Sequence, residues 1–530
     1  MMNVMHGPTR SFRVLWLSAA ALFLSLASAS SQAPFPSVVD GNLAVRVAAP
    51  GLALPTMMEF VSPSEMLVLE KNTGKVQYVT GGAVVGTAID LAVNNASERG
   101  LLGIALDPDF ATNHYVYLYW TCHADTPTTN PYMPTAETCP DQPALGADAS
   151  HVLAVPLRGN RVDRFVWNAT AKTLTWDLNL IKLRSFQNDG GPIPAGQSDS
   201  GQNPAGNHNG GVITFGRDGK LYIIIGDNGR RGQMQNLPSG PTPTGTGPVV
   251  EDDQFGGPYP DNAHLTGVIL RLNNDGTTPA DNPFYATGAS MGGEVGANIQ
   301  KVFSYGIRNS FGMAVDPESG KLWTSENGDN TFDELNIMAA GSNSGWVQTM
   351  GPLSRLFEFK EIETSEQFFG LQQRRWPSTN IADSRKAARD RMFMLPGATF
   401  TEPEFSWKYA IAPAAIGFQE GRGLGAKYDG SLFVGMSRPR PEGGALMRFK
   451  LSGNRKKLAL DDYPGLGDRV DDNTAPGEAL ESDPLIFGIN FGVVTDIETG
   501  PNGNLYVVSL SNGTVYEIYH VKKDARGNIE

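Results

Sequence analysis

Residues 215–227 read FGRDGKLYIIIGD, a glycine-containing turn followed by a continuous apolar run. Related segments recur at residues 315–325, VDPESGKLWTS, and at residues 500–509, GPNGNLYVVS. Asp-Gly and Asn-Gly turns tolerate positive φ and connect hairpin strands, and a short apolar run indicates a strand buried on both faces. Short buried strands that recur along a chain predict an all-β fold, a β-propeller.

The composition supports many short elements rather than long helices. The 530-residue chain holds 61 Gly and 36 Pro, spread along its length. A doubly wound α/β fold requires helices between successive strands, whereas the intervals here are rich in Gly, Pro and Asn, so that alternative is disfavoured. Helical periodicity is clear only around residues 361–394, which we interpret as one of several long loop insertions in the propeller.

Charge and the N-terminal segment restrict the partners and the compartment. The net charge of -13 disfavours a nucleic acid or an anionic membrane as partner. Arg10 and Arg13 precede an apolar run and a small-residue site, Ala27-Ser28-Ala29, so residues 1–29 are predicted to be a secretory signal. A membrane anchor is the alternative, although the run is shorter than the ~20 residues of a span. Residues 30–530 would then form a single propeller domain, periplasmic or secreted, with no membrane span.

Two cysteines, Cys122 and Cys139, are the only ones in the chain. In an oxidising compartment two thiols this close in sequence are expected to form a disulfide. A zinc site is disfavoured because two thiols without a nearby His pair fit no zinc spacing.

Two polar clusters between strands are candidates for chemistry. His208 lies in NHNGG at residues 207–211, where flanking glycines allow close approach of a substrate and the imidazole could act as a general base. The alternative is a histidine that caps a turn. Residues 326–336 contain seven acidic or amide side chains, an all-oxygen environment that suits Ca²⁺, or alternatively a solvated acidic turn.

Taken in order, five segments resemble the motifs of the soluble glucose/sorbosone dehydrogenase family. They are ERGLLGIALDPDF at residues 98–110, NHNGG at 207–211, YGIRN at 305–309, DELN at 333–336 and NSGW at 343–346. The resemblance implies an exported six-bladed β-propeller that binds pyrroloquinoline quinone (PQQ) and Ca²⁺. The implied activity is oxidation of an aldose sugar or related alcohol.

Position by position, the resemblance implies roles for the organic part of the site. His208 is expected to remove the hydroxyl proton, and Arg308 and Asn309 to contact the cofactor, with Arg308 also stabilising charge on the reduced quinone. Glu98 falls where glucose enzymes carry a substrate-contacting glutamine. Arg438 lies near the place of a cofactor-binding lysine.

The same resemblance implies two calcium sites. Gly328 and Asp329 fall where family members offer main-chain carbonyls to the calcium that polarises PQQ, with Asp329 in place of the usual proline. Glu334 and the carbonyl of Ser344 align with a second, structural calcium.

One departure from the family pattern concerns the C-terminal region. Val493 and Thr495 occupy the positions where the sugar dehydrogenases place two cofactor-binding arginines. PQQ carries three carboxylates, so the loss of two charge-assisted contacts weakens binding unless other cations, with Arg438, Arg440 and Arg422 as candidates, replace them.

Two functions therefore stay open on the sequence. The first is a PQQ-dependent sugar dehydrogenase that passes electrons to a separate acceptor, because no Cys-x-x-Cys-His haem motif is present. The second is a calcium-dependent propeller without PQQ activity, either a binding module or a lactonase-like hydrolase.

Three tryptophans beside strand patterns, Trp323, Trp346 and Trp407, are interpreted as packing residues.

Overall fold

The repeat at residues 215–227 folds as a tight hairpin in the computed structural model. Asp218 Oδ1 accepts from the Lys220 N–H at 3.1 Å, and Gly219 takes a φ of +68° that only glycine adopts without steric cost. The apolar run that follows is buried at all five of its strand positions. The hairpin prediction for this repeat is confirmed.

The structure describes residues 34–95, 97–122, 159–183, 185, 207–228, 265–346, 348–364, 381–437, 444–473 and 481–521. In chain order the strands are β1 Ser37–Val38, β2 Leu43–Ala49, β3 Pro55–Ser62, β4 Glu65–Glu70, β5 Lys75–Thr80, β6 Ala83–Asp90, β7 Leu101–Leu106, β8 Tyr115–Thr121, β9 Asn160–Asn168, β10 Thr173–Leu183, β11 Ile213–Phe215, β12 Leu221–Ile225, β13 Val268–Leu272, β14 Val302–Tyr305, β15 Gly312–Val315, β16 Leu322–Glu326, β17 Thr331–Met338, β18 Ser342–Asn343, β19 Thr399–Phe400, β20 Phe405–Tyr409, β21 Pro413–Phe418, β22 Leu432–Met436, β23 Ala445–Phe449, β24 Val470–Asp471, β25 Ile486–Ile489, β26 Val494–Thr499, β27 Leu505–Ser509 and β28 Thr514–His520.

Within these residues the strands form six sheets of four to six strands each. Their orders are β3-β4-β5-β6, β7-β8-β9-β10, β11-β12-β13-β14-β18-β19, β15-β16-β17-β20-β24, β21-β22-β23-β25-β1 and β26-β27-β28-β2. The first strands pack against one another in turn, β3 on β7, β7 on β11, β11 on β15, β15 on β21, β21 on β26 and β26 on β3. The predicted all-β propeller is confirmed; the count of six blades remains a prediction.

Close contact between first strands depends on glycine. A Cβ on Gly103 of β7 would lie 2.0 Å from the carbonyl oxygen of Gly211, and one on Gly417 of β21 would lie 2.0 Å from that of Ile497. Neither position has room for a side chain, so glycine sets how closely the strands approach around the axis.

Strand β8 shows why the apolar runs are nearly continuous. Val116 and Leu118 pack in one hydrophobic cluster with residues of β4 and β5, while Tyr117 and Tyr119 pack in another with residues of β12 and β13. Successive side chains of a strand point to opposite faces, so a sheet covered on both sides needs apolar residues at every position.

The N-terminal strand closes the ring. β2 pairs antiparallel with β28, with Leu43 opposite His520, so one sheet combines strands from both ends of the chain. β1 likewise pairs with β25 of the preceding sheet.

The helices are short: α1 Phe110–Asn113, α2 Tyr285–Met291, α3 Gly293–Ile299, α4 Leu356–Thr364 and α5 Arg385–Arg391. α5 lies in the stretch for which the sequence predicts helical structure, residues 361–394, and α4 begins five residues before that stretch and overlaps it at residues 361–364. None of the helices in the described ranges is both long and apolar enough to cross a membrane. The predicted signal, residues 1–29, and its boundary with the propeller domain lie outside the described residues.

Candidate functional site

The residues singled out by the sequence meet at one end of the ring of first strands. Glu98 precedes β7, His208 precedes β11, and Arg308 and Asn309 precede β15, while Asp227 follows β12. The main-chain N–H of His208 donates to Glu98 Oε2 at 2.5 Å, and that of Asp227 donates to the Arg308 carbonyl at 2.8 Å. The structure thus joins three neighbouring sheets at this mouth.

His208 is buried, and its ring bonds a carboxylate. Nδ1 lies 2.6 Å from Asp227 Oδ1, and the other carboxylate oxygen of Asp227 accepts from Trp346 Nε1 at 2.9 Å. A carboxylate beside Nδ1 keeps the proton on that nitrogen and leaves Nε2 as the proton acceptor. This arrangement can do the work of a general base, and the ring does not serve as a simple turn cap.

A glycine brings the His208 and Arg308 segments together. A Cβ on Gly226 would lie 2.5 Å from the main-chain oxygens of both His208 and Arg308. His208 itself adopts a φ of +54°, an uncommon conformation for a residue with a side chain. The local geometry is therefore set by close backbone contact.

Arg308 is buried and holds the acidic loop that follows β16. Its Nη1 donates to the carbonyls of Asn327 at 2.8 Å and Gly328 at 2.9 Å, and its Nη2 bonds Asp329 Oδ1 at 3.0 Å. The guanidinium lies 5.5 Å from the centre of the Trp346 ring, within cation–π range. The arginine therefore links the loop to the histidine through Trp346.

Arg308 and Asn309 each have one buried polar atom without a hydrogen-bond partner in the described part of the chain. They are Nε of Arg308, a donor, and Oδ1 of Asn309, an acceptor. An unpartnered buried polar group costs about 1–3 kcal/mol, so such atoms mark a place where a ligand can bind. Both belong to the residues that the sequence assigns to cofactor binding.

Three carboxylates behind the loop have raised pKa values. Burial and the charge of Glu334 raise the pKa of Glu326 well above its usual range, and burial raises that of Glu334 to about 7. Asn336 Nδ2 donates to Glu334 at 2.9 Å and to Glu326 at 3.3 Å. Burial, and next the charge of Asp329, raise the pKa of Glu363 to about 8.

The predicted calcium residues lie in two places. Gly328 and Asp329 are at the mouth, in contact with Arg308, and Glu334 is on β17 with its carboxylate also near the Gly351 N–H. The Ser344 hydroxyl donates to the Gly306 carbonyl at 2.6 Å. Among the described residues no three His, Cys, Asp or Glu side chains are grouped to hold a metal ion by themselves.

The C-terminal departure from the family pattern lies at the same mouth. Thr495, on β26, donates from Oγ1 to the Pro55 carbonyl at 3.1 Å, and Val493 precedes that strand. Arg422, a candidate replacement cation, follows the far end of β21 and is exposed, so that suggestion is wrong. Arg438 and Arg440 lie outside the described residues.

The predicted disulfide stays a prediction. Cys122 is buried and its main-chain N–H donates to the Gly159 carbonyl at 3.1 Å. Cys139 lies outside the described residues.

Sequence reasoning missed three residues that shape the site. Asp227 ends the quoted repeat at residues 215–227, where an acidic residue directly after an apolar strand is a signal that could have been followed. Trp346 is fully buried, as a packing residue is, but it also donates to Asp227. Glu363 comes from α4 of an insertion, and nothing in its sequence context relates it to the mouth.

Comparison with known proteins gives a family. A family model described as glucose/sorbosone dehydrogenase matches residues 52–145 and 197–367. Quinoprotein glucose dehydrogenase B of Acinetobacter calcoaceticus is 28% identical over 329 residues, which are 60% of this chain and 55% of that protein. The aldose sugar dehydrogenase YliI of Escherichia coli K12 is 36% identical over 136 residues, 26% of this chain and 28% of that protein. The match thus spans about half or less of these two relatives.

A solved structure agrees with the fold. The soluble aldose sugar dehydrogenase of Escherichia coli, in its apo form, superposes with a TM-score of 0.52 at 21% identity. The superposition covers 90% of this chain and 99% of that one. At this identity the likeness supports the architecture.

Proposed function

Because this chain belongs to the glucose/sorbosone dehydrogenase family, we propose that it is a PQQ- and calcium-dependent dehydrogenase that oxidises an aldose sugar or a related alcohol. The observation that carries the proposal is the His208–Asp227 pair, at 2.6 Å, placed beside the buried Arg308. A base of fixed tautomer next to a cation is the combination that removal of a hydroxyl proton during hydride loss requires.

The chain's own residues divide this work. His208 Nε2 takes the hydroxyl proton of the substrate, and Asp227 stabilises the imidazolium that results. Arg308 provides positive charge where negative charge develops on the oxidant. Glu98 lies next to the base through its bond to the His208 N–H, in position to accept from a sugar hydroxyl.

The residues present fit a quinone in part. The unpartnered Arg308 Nε and Asn309 Oδ1 offer it one donor and one acceptor. Bound there, PQQ would supply the hydride acceptor. If calcium binds the Gly328 carbonyl, Arg308 Nη1 gives up its bond to that carbonyl. The bond from Nη1 to the Asn327 carbonyl, at 2.8 Å, can remain. Glu334 and the Ser344 carbonyl are proposed for a second calcium.

The remaining features of the proposal concern architecture and location. We take each of the six sheets as one blade. Residues 1–29 act as a secretory signal, the mature protein is periplasmic or secreted, and Cys122 pairs with Cys139 in that oxidising compartment. Electrons leave to a separate acceptor.

Replacement of His208 tests the proposal. His208→Ala should abolish PQQ-dependent reduction of a dye by an aldose, because it removes the imidazole whose tautomer Asp227 fixes, and should leave thermal unfolding close to that of the wild type. His520→Ala, an exposed histidine at the end of β28, is the matched control and should retain full turnover. Undiminished turnover in His208→Ala would overturn the proposed mechanism.

Val493 and Thr495 favour a second candidate, a calcium-dependent propeller that binds no PQQ. Each missing charge-assisted contact is worth about 1.5–3 kcal/mol, so two of them weaken cofactor binding by roughly 10²–10⁴-fold. Titration of the protein with PQQ in Ca²⁺, followed by absorbance, separates the two candidates. Saturable binding at micromolar PQQ supports the dehydrogenase, and its absence supports the second candidate.

A further inference from the structure

Two carboxylates at the mouth each have one oxygen that accepts a hydrogen bond and one oxygen without a hydrogen-bond partner among the described residues. Glu363 Oε1 accepts from the main-chain N–H groups of Asn330 at 3.0 Å and Thr331 at 3.2 Å, and Asp329 Oδ1 accepts from Arg308. Glu363 Oε2 and Asp329 Oδ2 are buried and have no partner among the described residues. Each carboxylate is therefore held through one oxygen, and its other oxygen is available to a ligand.

The two side chains are neighbours, and their surroundings fix them in place. Glu363 bonds the residue that directly follows Asp329 in the chain, and the charge of Asp329 acts on Glu363. Glu363 is 1% exposed, and Ile362, the residue before it on α4, is also buried. A buried carboxylate oxygen that nothing bonds is costly, and two adjacent ones repel each other.

We propose that Asp329 and Glu363 are side-chain ligands of a calcium ion at this mouth, with Asp329 Oδ2 and Glu363 Oε2 as its two anionic oxygens. Ca²⁺ binds oxygen ligands with flexible geometry and accepts carboxylate, carbonyl and water together, so main-chain carbonyls and water can complete a site that two carboxylates begin. Arg308 serves as a positioning residue, because it bonds Oδ1 of Asp329 and leaves Oδ2 without a hydrogen bond from the described residues.

The inference deepens the proposed function, since it gives the calcium of the acidic loop two anionic ligands. It also gives a reason for Asp329 at a position where the resemblance implies proline: the substituted residue supplies a charge that a main-chain carbonyl alone lacks. Affinity of a calcium site rises with the number of its charged ligands.

The test measures calcium itself, without quinone or sugar. The full mature chain, freed of metal with a chelator, is titrated with Ca²⁺ by calorimetry and with Tb³⁺ by luminescence excited through tryptophan. Glu363→Gln keeps the acceptor for Asn330 and Thr331 but removes the charge. Glu361→Gln, an exposed residue of the same helix, removes an equal charge away from the site.

We expect Glu363→Gln and Asp329→Asn each to lower the affinity of one calcium site by about tenfold or more, and Glu361→Gln to leave it unchanged. Calcium should also raise the unfolding temperature of the wild type more than that of Glu363→Gln. The unfolding transition of Glu363→Gln in the same measurement shows that the variant is folded. Identical calcium isotherms for wild type and Glu363→Gln, or an equal loss of calcium affinity in Glu361→Gln, would overturn the inference. The alternative explanation of the two adjacent carboxylates would then be a proton shared between them. The His208 assay is independent of this result, so failure of the calcium inference and of the proposed activity are distinguishable.

Discussion

Replacing Asp227 with Asn should stop His208 from acting as a base, although the imidazole ring itself is retained. Asp227 accepts from both His208 Nδ1 and Trp346 Nε1, one on each carboxylate oxygen, whereas Asn has a single acceptor oxygen. If that oxygen keeps the indole N–H, the new amide NH₂ faces Nδ1, and the imidazole proton moves to Nε2. A ring protonated at Nε2 cannot accept the substrate's proton.

The expected loss follows from the contribution of a general base. Such a group supplies roughly 10²–10⁴-fold in rate, so kcat/KM for dye reduction should fall by that factor, or about 3–5 kcal/mol of transition-state stabilisation. If the amide turned the other way, its NH₂ would face the indole N–H, and the clash of two buried donors would cost about 1–3 kcal/mol of stability. Thermal unfolding alongside the kinetics separates these two outcomes.

A double variant decides whether Asp227 acts through His208. In a His208→Ala background, Asp227→Asn should cause no further loss, since residues that act as a unit are not additive. Trp346→Phe, which removes only the indole donor, should have the smaller effect. An Asp227→Asn enzyme within about threefold of the wild type, or an equal loss in both backgrounds, would refute the reasoning.

Two further predictions concern stability. Burial and the charge of Asp496 raise the pKa of Glu59 to about 8 from its ordinary 4.5, so the folded chain holds a proton that the unfolded chain releases. Stability should therefore fall as the pH rises from 4.5 to about 8. Unfolding temperatures measured in chelator over this pH range should fall less in Glu59→Gln than in the wild type. Parallel plots of unfolding temperature against pH for the two proteins would contradict this prediction. Gly226→Ala should lower the free energy of unfolding by ~1–3 kcal/mol, because its methyl would lie 2.5 Å from the main-chain oxygens of His208 and Arg308, and an unchanged denaturant midpoint would argue against that contact.

Much of the mouth could be predicted from the hairpin register. Gly312 lies opposite Ser325, and continuing this pairing four residues outward brings Arg308 opposite Asp329, which it bonds. Extending the β11–β12 register five residues outward brings His208 opposite Asn228, one residue past Asp227, the carboxylate that its ring bonds. Both pairs join a residue before a first strand to one after the second strand, so the hairpin repeat in the sequence already contains them.

What the sequence could not supply comes from contacts between distant segments. The pairing of β2 with β28 joins the two ends of the chain, and no local periodicity reveals it. Glu363 reaches the acidic loop from α4, an insertion whose docking depends on packing of Leu356 and Phe359 rather than on any motif. Local patterns specify hairpins, whereas the arrangement of hairpins and insertions depends on the assembled core.

The balance of charge at the mouth links the calcium and quinone parts of the proposal. Asp227, Glu326, Asp329 and Glu363 are all buried or nearly so around the guanidinium of Arg308. A quinone with three carboxylates would bring negative charge to a region already rich in carboxyl groups, and Val493 and Thr495 contribute no compensating cation. A divalent cation bound at Asp329 and Glu363 would offset both carboxylates, so its binding favours the quinone, and by linkage the quinone favours the cation to the same extent. If the proposed calcium site is present, calcium would take over part of the charge compensation that the resemblance assigns to the two missing arginines.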